Sequence, residues 1–388
     1  MAKDITVGID IGSSSIRVVV TKRDRGDAVP SIIGTGVAPS AGIRHGYIIN
    51  HEEAVASISR ALDIAARKSQ TKIRSAYIAI GGISLESSIE TGSTIISRAD
   101  GEITALDIEK AIEGSKNNIE GGANKHILHH VPIKFKLDGK DVLGKAIGLK
   151  GVKLEVKTFF VTCLKQHYKD IIAAVEDAGV EVTDIVATPL AASIVTLSKR
   201  QKTAGCVLVN IGGETVSMVV FENDLPVLLH VFPIGGTDIT NDIALGLKVS
   251  IDDAEQIKLG RDMASYSRKK LDDIIEARLT DIFEIVDNDL KKIGRSGLLP
   301  AGIIITGGGS LLPNIEEMAK TSLRIPSKIT SADILQNSKG KIADGSWAVS
   351  YGLTLIPDIE QGQGMHKESR LVESISSNIM GWLRQFLP

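Results

Sequence analysis

Asp10-Ile11-Gly12-Ser13-Ser14-Ser15 stands two hundred positions ahead of Asn210-Ile211-Gly212-Gly213-Glu214-Thr215, and this pair decides the fold. The flanking residues correspond too: Ile9 with Val209, Ile16 with Val216, Val19 with Val219, Val20 with Val220. Each copy reads as a strand, a tight Gly/Ser turn and a returning strand, because β-branched residues run up to the turn and resume after it. One such hairpin is common and says little. Two in the same order, each opening a half of the chain, imply a duplicated α/β architecture with a cleft between the halves.

The residue types at the turns point to an anion. Glycine lets the backbone approach a charged ligand closely, and successive N–H groups then form a concave anion site. Ser13, Ser14, Ser15 and Thr215 add hydroxyl donors, so Gly12, Gly212, Gly213 and their neighbours could clasp a polyphosphate from both sides. Asp10, with Asn210 as its counterpart, sits at a strand end where it can hold water on a bound Mg²⁺. The bland alternative is two ordinary hairpins. A third element, Ile303-Ile304-Ile305-Thr306-Gly307-Gly308-Gly309-Ser310, runs from a strand into a glycine turn before a helix and would let a flat base or ribose lie on backbone. Alone it fits many α/β folds. Glu255 and Lys258 lie one helical turn apart and either meet ribose or base or form a solvated ion pair.

Composition sets the bounds. The 388 residues are too many for one ordinary core. Hydrophobic residues at 43% and charged residues at 24% suit a folded protein. A net charge of -2 and 4% aromatics give neither the basic field nor the stacking surface of a nucleic-acid binder. Cys163 and Cys206 lie in apolar runs and read as buried thiols. The N-terminus enters a strand without a secretory signal and no apolar run is long enough to span a bilayer, so the expectation is a cytosolic protein with at most peripheral membrane contact. Apolar spacing predicts helices over 51–68, 166–178, 190–199, 237–247, 252–261, 272–293 and 312–323. From about residue 84 to 156 short strands surround one helical stretch near 106–119, which reads as a small insertion in a larger α/β domain. His126, His129 and His130 cluster there, as core or surface histidines or as a metal site.

The three glycine elements resemble the phosphate-one, phosphate-two and adenosine motifs of the actin, DnaK and sugar-kinase superfamily. Within it the chain resembles the FtsA family of bacterial cell-division proteins over essentially its whole length. The 78–162 stretch stands where that family carries its own subdomain, and further likeness lies in Leu225-Pro226-Val227 through Pro233-Ile234-Gly235-Gly236, in Asp253-Ala254-Glu255-Gln256-Ile257-Lys258 and in the tail. The resemblance implies an actin-like two-lobed α/β fold. Residues 1–83 and 157–202 form its first lobe (1A), 84–156 the inserted α+β subdomain (1C), 203–235 and 300–356 the second lobe (2A), and 236–299 a small subdomain (2B). It also implies binding of ATP and Mg²⁺, with Gly235, Gly236, Glu255, Lys258, Gly307, Gly308, Gly309 and Ser310 on the adenosine side. The implied role is a polymer tethering FtsZ filaments to the inner face of the cytoplasmic membrane at the division site, with the FtsZ C-terminal tail meeting 2B. Two departures matter: the family's second phosphate motif usually has Asp at position 210 and Gly at 214. Asn210 removes one negative charge from the metal site, and Glu214 puts a carboxylate near the expected phosphates, where it repels them unless Mg²⁺ or another cation intervenes, or positions water. The link Ala187-Thr188-Pro189-Leu190 offers no carboxylate or amide to orient an attacking water, so binding with slow or negligible hydrolysis is expected.

After Pro357 the chain is Gly-, Gln- and charge-rich, a linker over 357–371. In 372–388, Ile375, Ile379, Trp382, Leu383 and Phe386 recur at three- and four-residue steps and share one helical face, opposite Ser374, Ser376, Ser377 and Gln385. Ser374 or Ser369 could cap this helix. Burying five or six such side chains in a lipid interface contributes on the order of 5–8 kcal/mol before ordering costs, enough for weak, reversible attachment by one tail and firmer attachment by an array. The alternative is a helix packed on its own domain or on a protein partner. Two other functions share the superfamily: a PilM-like adaptor of a type IV pilus machine, without the tail, and a small-molecule kinase, which needs a carboxylate base near the hairpins.

Overall fold

The computed structural model describes residues 4–24, 29–261, 266–330, 342 and 344–357. The proposed tail helix, with Ile375, Ile379, Trp382, Leu383 and Phe386, lies outside the described residues, as do residues 358–371 of the linker.

The first lobe opens with β1 (Asp4–Ile11), β2 (Ser15–Arg23) and β3 (Ser31–Pro39), and a small hairpin follows of β4 (Ile43–Arg44) and β5 (Tyr47–Ile48). Next come α1 (His51–Ser69) and β6 (Ser75–Ile80). Asn50 starts α1 by accepting the Glu53 N–H, Glu52 and Glu53 occupy the first turn, and Arg67 and Lys68 the last, each sign placed where the helix dipole favours it. Gly36 of β3 permits the helix to lie close, since a Cβ there would stand 2.0 Å from the Ala61 carbonyl oxygen.

The inserted subdomain is β7 (Glu86–Ile95), α2 (Ala105–Lys116), β8 (Lys125–Leu137), β9 (Lys140–Val142) and the long β10 (Lys153–Leu164). Its helix is started by a reciprocal cap. Buried Asp107 accepts from the Thr104 backbone at 2.9 Å and hydroxyl at 2.6 Å, and from the Ser97 backbone at 3.0 Å and hydroxyl at 2.8 Å. The chain returns to the first lobe through α3 (Lys165–Asp177), β11 (Glu181–Ala187), α4 (Thr188–Thr196) and α5 (Lys199–Ala204).

The second lobe repeats the plan: β12 (Cys206–Ile211), β13 (Val216–Glu222) and β14 (Leu225–Phe232), then α6 (Gly236–Leu247), α7 (Ile251–Lys258) and α8 (Arg268–Lys292). β15 (Ile303–Thr306), α9 (Ile315–Leu323), β16 (Ser327–Ile329) and α10 (Ala348–Thr354) follow. The first sheet runs β11-β6-β1-β2-β3, and five strands of the second run β16-β15-β12-β13-β14. In both, the hairpin strands pair antiparallel and the later strands pair parallel to the first. The two sheets are the same object twice, which is the duplication expected from the hairpins.

The repeats also exchange helices. α4 leaves the first lobe and packs on β12 and β13, while α10 leaves the second and packs on β1, β2 and β6. The two helices meet where Gly352 of α10 abuts the Ala191 carbonyl, and Ser350 abuts Gly8 of β1. One apolar core therefore contains Ile9, Val19 and Ile78 of the first lobe together with Leu208, Val219 and Phe221 of the second. A second core fills the space between the second sheet and α6–α9, and a third lies within the insertion.

The insertion is less separate than the sequence suggests. Its strands continue the second sheet in the order β14-β7-β10-β8-β9, through the pair His230–Glu86. The Ser87 hydroxyl stitches the junction, donating to the Leu229 carbonyl at 3.0 Å and accepting its N–H at 2.7 Å. The edge of β14, otherwise open, is covered in this way.

A candidate nucleotide cleft between two hairpins

The hairpin turns of the two lobes abut. A Cβ added at Gly213 would lie 2.7 Å from the Ser14 Cβ, so the second turn must carry glycine there to meet the first. Around this junction a cleft of about 440 Å³ opens. Asp10, Gly12, Ser13, Ser14 and Ser15 line it from the first hairpin, and Asn210, Gly212, Gly213, Glu214 and Thr215 from the second. Gly236, Glu255, Lys258, Gly307, Gly308 and Gly309 line the side toward α6, α7 and the third glycine turn.

Each turn is built by local chemistry. The Gly212 N–H donates to the Thr215 carbonyl at 2.8 Å. The start of α6 docks on the same turn, with the Gly236 N–H on the Gly212 carbonyl at 2.9 Å and the Thr237 N–H on the Gly213 carbonyl at 2.7 Å. The third turn folds over the second hairpin: Gly307 has φ +85, and a side chain there would meet Asn210 Oδ1 at 2.2 Å. Above Gly308 there is open space.

Two residues assigned to the adenosine side stand behind it. Gly235 does not line the cleft; it packs against the Gly213 carbonyl and donates its N–H to Asp238. Ser310 is buried, and its hydroxyl closes its own turn on the Gly307 carbonyl at 2.7 Å. Glu255 and Lys258 pair at 2.6 Å, and Lys258 also donates to the Gly236 carbonyl and the Thr240 hydroxyl, so the ion pair fastens α7 to α6 at the rim.

Several lining groups carry little signal in the sequence. Arg17 faces the cleft from β2, opposite Asp10 in register, and donates to the Ser15 hydroxyl at 2.5 Å. A lone cation inside Ile16–Val20 was its one visible mark. Gly46, Thr188, Leu259, Leu311, Asp344 and Ser346 are delivered by tertiary packing. Exposed Leu259 and Leu311 offer apolar surface beside the open Gly308.

The electrostatics explain what the cleft needs from a ligand. Among the described residues, Asp10, Glu214, Glu255 and Asp344 face two lining cations, Arg17 and Lys258, and Lys258 is already paired. Burial pushes the Asp10 carboxyl from 3.8 up to about 6, and the Arg17 charge offsets only part of that. A polyphosphate entering alone would meet backbone N–H groups and hydroxyls but a surplus of carboxylate; a divalent cation arriving with it removes the conflict. Among the described residues no group of three or more His, Cys, Asp or Glu side chains could ligate a metal directly. The donor set of one carboxylate and one amide, Asp10 and Asn210, fits a cation that keeps most of its waters and is held chiefly by the phosphates.

The histidine cluster reads differently. His129 is buried and accepts the Ala187 N–H at 2.9 Å, His126 stacks on Tyr168 at 3.7 Å between ring centroids, and burial lowers His129 to about 3 and His130 to about 4. They are neutral packing groups.

A family profile described as "Cell division protein FtsA" matches residues 207–352, and one described as "SHS2 domain inserted in FTSA" matches residues 82–162. The FtsA of Borreliella burgdorferi is 30% identical over 98% of this chain and 98% of its own length. That of Bacillus subtilis is 31% identical over 86% of this chain and 80% of its own. Among solved structures, the PilM–PilN type IV pilus biogenesis complex contains a chain similar in fold (TM-score 0.67, 16% identity, 90% of this chain and 97% of that one). MreB5 of Spiroplasma citri bound to ADP is similar at TM-score 0.52, 14% identity, over 92% and 98%. An actin-like duplicated fold with the SHS2 insertion, and relatives alike over nearly their whole length, lead to one conclusion: the chain belongs to the FtsA family of cell-division proteins.

Proposed function

We propose that this protein is an ATP-binding, polymer-forming adaptor that tethers FtsZ filaments to the cytoplasmic face of the membrane at the division site. The observation that carries the reading is the contact of Gly213 with Ser14 at the base of a cleft floored by both hairpins and flanked by the third glycine turn. In this reading the N–H groups and hydroxyls of the two turns hold the phosphates, and Arg17 adds a cation at the first. Asp10 and Asn210 hold waters of a Mg²⁺ that would neutralise phosphate charge. The adenosine lies against Gly236, Gly307, Gly308 and Gly309, between Leu259 and Leu311, with Glu255 and Lys258 at its edge. Support for a nucleotide comes from neighbours of the same fold bound to ADP and AMPPNP.

Hydrolysis is slow in this reading. Thr188, at the first position of α4, is the group the first lobe offers where a water-orienting acid or amide would serve, and a hydroxyl is a poor base. Partner binding falls to the 2B subdomain, where exposed Leu245 and Ile251 offer apolar surface to the FtsZ C-terminal tail. No helix among the described residues is long and apolar enough to cross a membrane. Attachment therefore rests on the amphipathic pattern at 372–388, multiplied along a self-associated filament. The likeness to PilM is one of fold and supplies the second reading, a pilus adaptor.

Co-sedimentation with anionic vesicles and FtsZ filaments tests this. The full chain with Mg·ATP should carry FtsZ to the vesicles, and Trp382→Glu or deletion of 372–388 should abolish the transfer while ATP binding persists. Vesicle binding that survives both changes, or no recruitment of FtsZ by the intact chain, would refute the adaptor reading.

A further inference from the structure

The second hairpin carries a carboxylate, Glu214, at its tip, and the structure shows what that carboxylate does. Its Oε2 accepts the backbone N–H of His45 at 2.6 Å, and its own carbonyl meets the His45 ring Nδ1 at 3.1 Å. The next residue, Gly46, donates its N–H to the Ser13 hydroxyl at 2.9 Å. Two successive amides of one strap, between β4 and β5, are thus spent on the tips of the two hairpins, one on each lobe. The strap is wound tightly to do so: His45 has φ 47 and Gly46 φ 83, and a side chain at 46 would strike Gly82 at 2.4 Å. Gly46, Ser13 and Glu214 all line the cleft.

These N–H groups are of the kind a terminal phosphate oxygen would take. A carboxylate is a smaller anion with the same acceptor geometry. We propose that Glu214 occupies the terminal-phosphate subsite as an internal competitor, so that a nucleoside triphosphate must displace its carboxylate from the His45 N–H whereas a diphosphate need not. Glu214 thereby sets the balance between di- and triphosphate and clasps the lobes together when the subsite holds no phosphate. The consequence extends beyond the cleft. The Gly46 carbonyl lies 3.0 Å from His167 Nε2, and His167 Nδ1 lies 3.1 Å from the Ser84 hydroxyl at the root of the insertion. Release of the strap from Glu214 changes the support of that root.

The inference rests on the nucleotide reading of the cleft, and its test separates the two. Binding of Mg·ADP and of a non-hydrolysable Mg·ATP analogue is measured by calorimetry for the full-length protein and for Glu214→Gln, which keeps an acceptor for His45 but removes the charge. The ratio of triphosphate to diphosphate affinity should rise about tenfold, or about 1.4 kcal/mol. Hydrogen exchange of residues 82–86 should change with the triphosphate analogue and stay unchanged with ADP in the wild type, while the His45 amide stays protected with either. A ratio that stays put while both proteins bind both nucleotides overturns the role of Glu214 alone. Failure of both proteins to bind either nucleotide overturns the reading of the cleft and the inference with it.

Discussion

Replacing Asp10 with Asn should make the ligand-free protein more stable and the nucleotide complex weaker. The carboxyl is raised from 3.8 to about 6 by burial, against the opposing charge of Arg17. Raising this carboxyl from 3.8 to about 6, at about 1.36 kcal/mol per pH unit, corresponds to an upper bound of about 3 kcal/mol spent on keeping Asp10 ionised at neutral pH. The sign follows from proton counting. Between about pH 4 and 6 the folded state keeps a proton that the unfolded state releases, so wild-type stability falls as pH rises through that window and stays reduced above it. Asn keeps the shape and drops the charge. At pH 7.5 the variant should unfold about 1–3 kcal/mol less readily, which at about 2–4 °C per kcal/mol for a lobe-sized unit is a rise of several degrees in Tm. The gap should close by pH 4. Mg·ATP should reverse the order, because a divalent cation near Asp10 stabilises the charged form, and the variant should lose most of the Mg-dependent thermal shift. Scanning calorimetry of both proteins from pH 4 to 7.5, with and without Mg·ATP, decides the matter. A variant less stable than wild type at pH 7.5, or one with an undiminished Mg-dependent shift, would refute the reasoning.

Gly213→Val should force the hairpin turns apart, cost about 1–3 kcal/mol of stability through overpacking and reduce ATP affinity at least a hundredfold; unchanged affinity by calorimetry would count against the contact with Ser14. Arg17→Met should weaken Mg·ATP binding about tenfold and raise the Asp10 pKa further, visible by carboxyl NMR titration, with a matching fall in Tm at neutral pH that vanishes by pH 4. Asp107→Ala removes four accepted hydrogen bonds at the start of α2 and should destabilise the insertion by about 2–4 kcal/mol. Burial acts upward on this carboxyl, but the bonds from Thr104 and Ser97 prevail and hold it well below the usual range. Its contribution is therefore present above about pH 4 and lost as pH falls further, so the wild-type insertion should loosen in acid while the variant shows no such step by hydrogen exchange.

The duplication was legible because the two hairpin turns need glycine at Gly12, Gly212 and Gly213, where a Cβ would crowd the turn or its neighbour, and because β-branched runs such as Val18-Val19-Val20 mark strands without tertiary help. Most helices also followed from spacing, though the third glycine turn delays α9 to Ile315, past Pro313. Other features were not legible, for identifiable reasons. The short α10 has no periodicity to show, yet it exchanges with α4 to join the lobes. Junctions such as Ser87 with Leu229 depend on residues more than a hundred positions apart. Glu214 was expected to place a carboxylate near the phosphates, beside a cation or a water; its partner is a backbone N–H in a distant strap, which no side-chain motif announces. Ser310 and Gly235 have the composition of ligand contacts, but one closes its own turn and the other stands behind the second hairpin.

The central claim is that both hairpin turns grip the same polyphosphate, and amide hydrogen exchange measured with and without Mg·ATP tests it most directly. Protection should appear together in residues 11–15 and 211–215 and saturate at one ATP concentration. Protection of one turn alone, or of neither while ATP is bound, would contradict it.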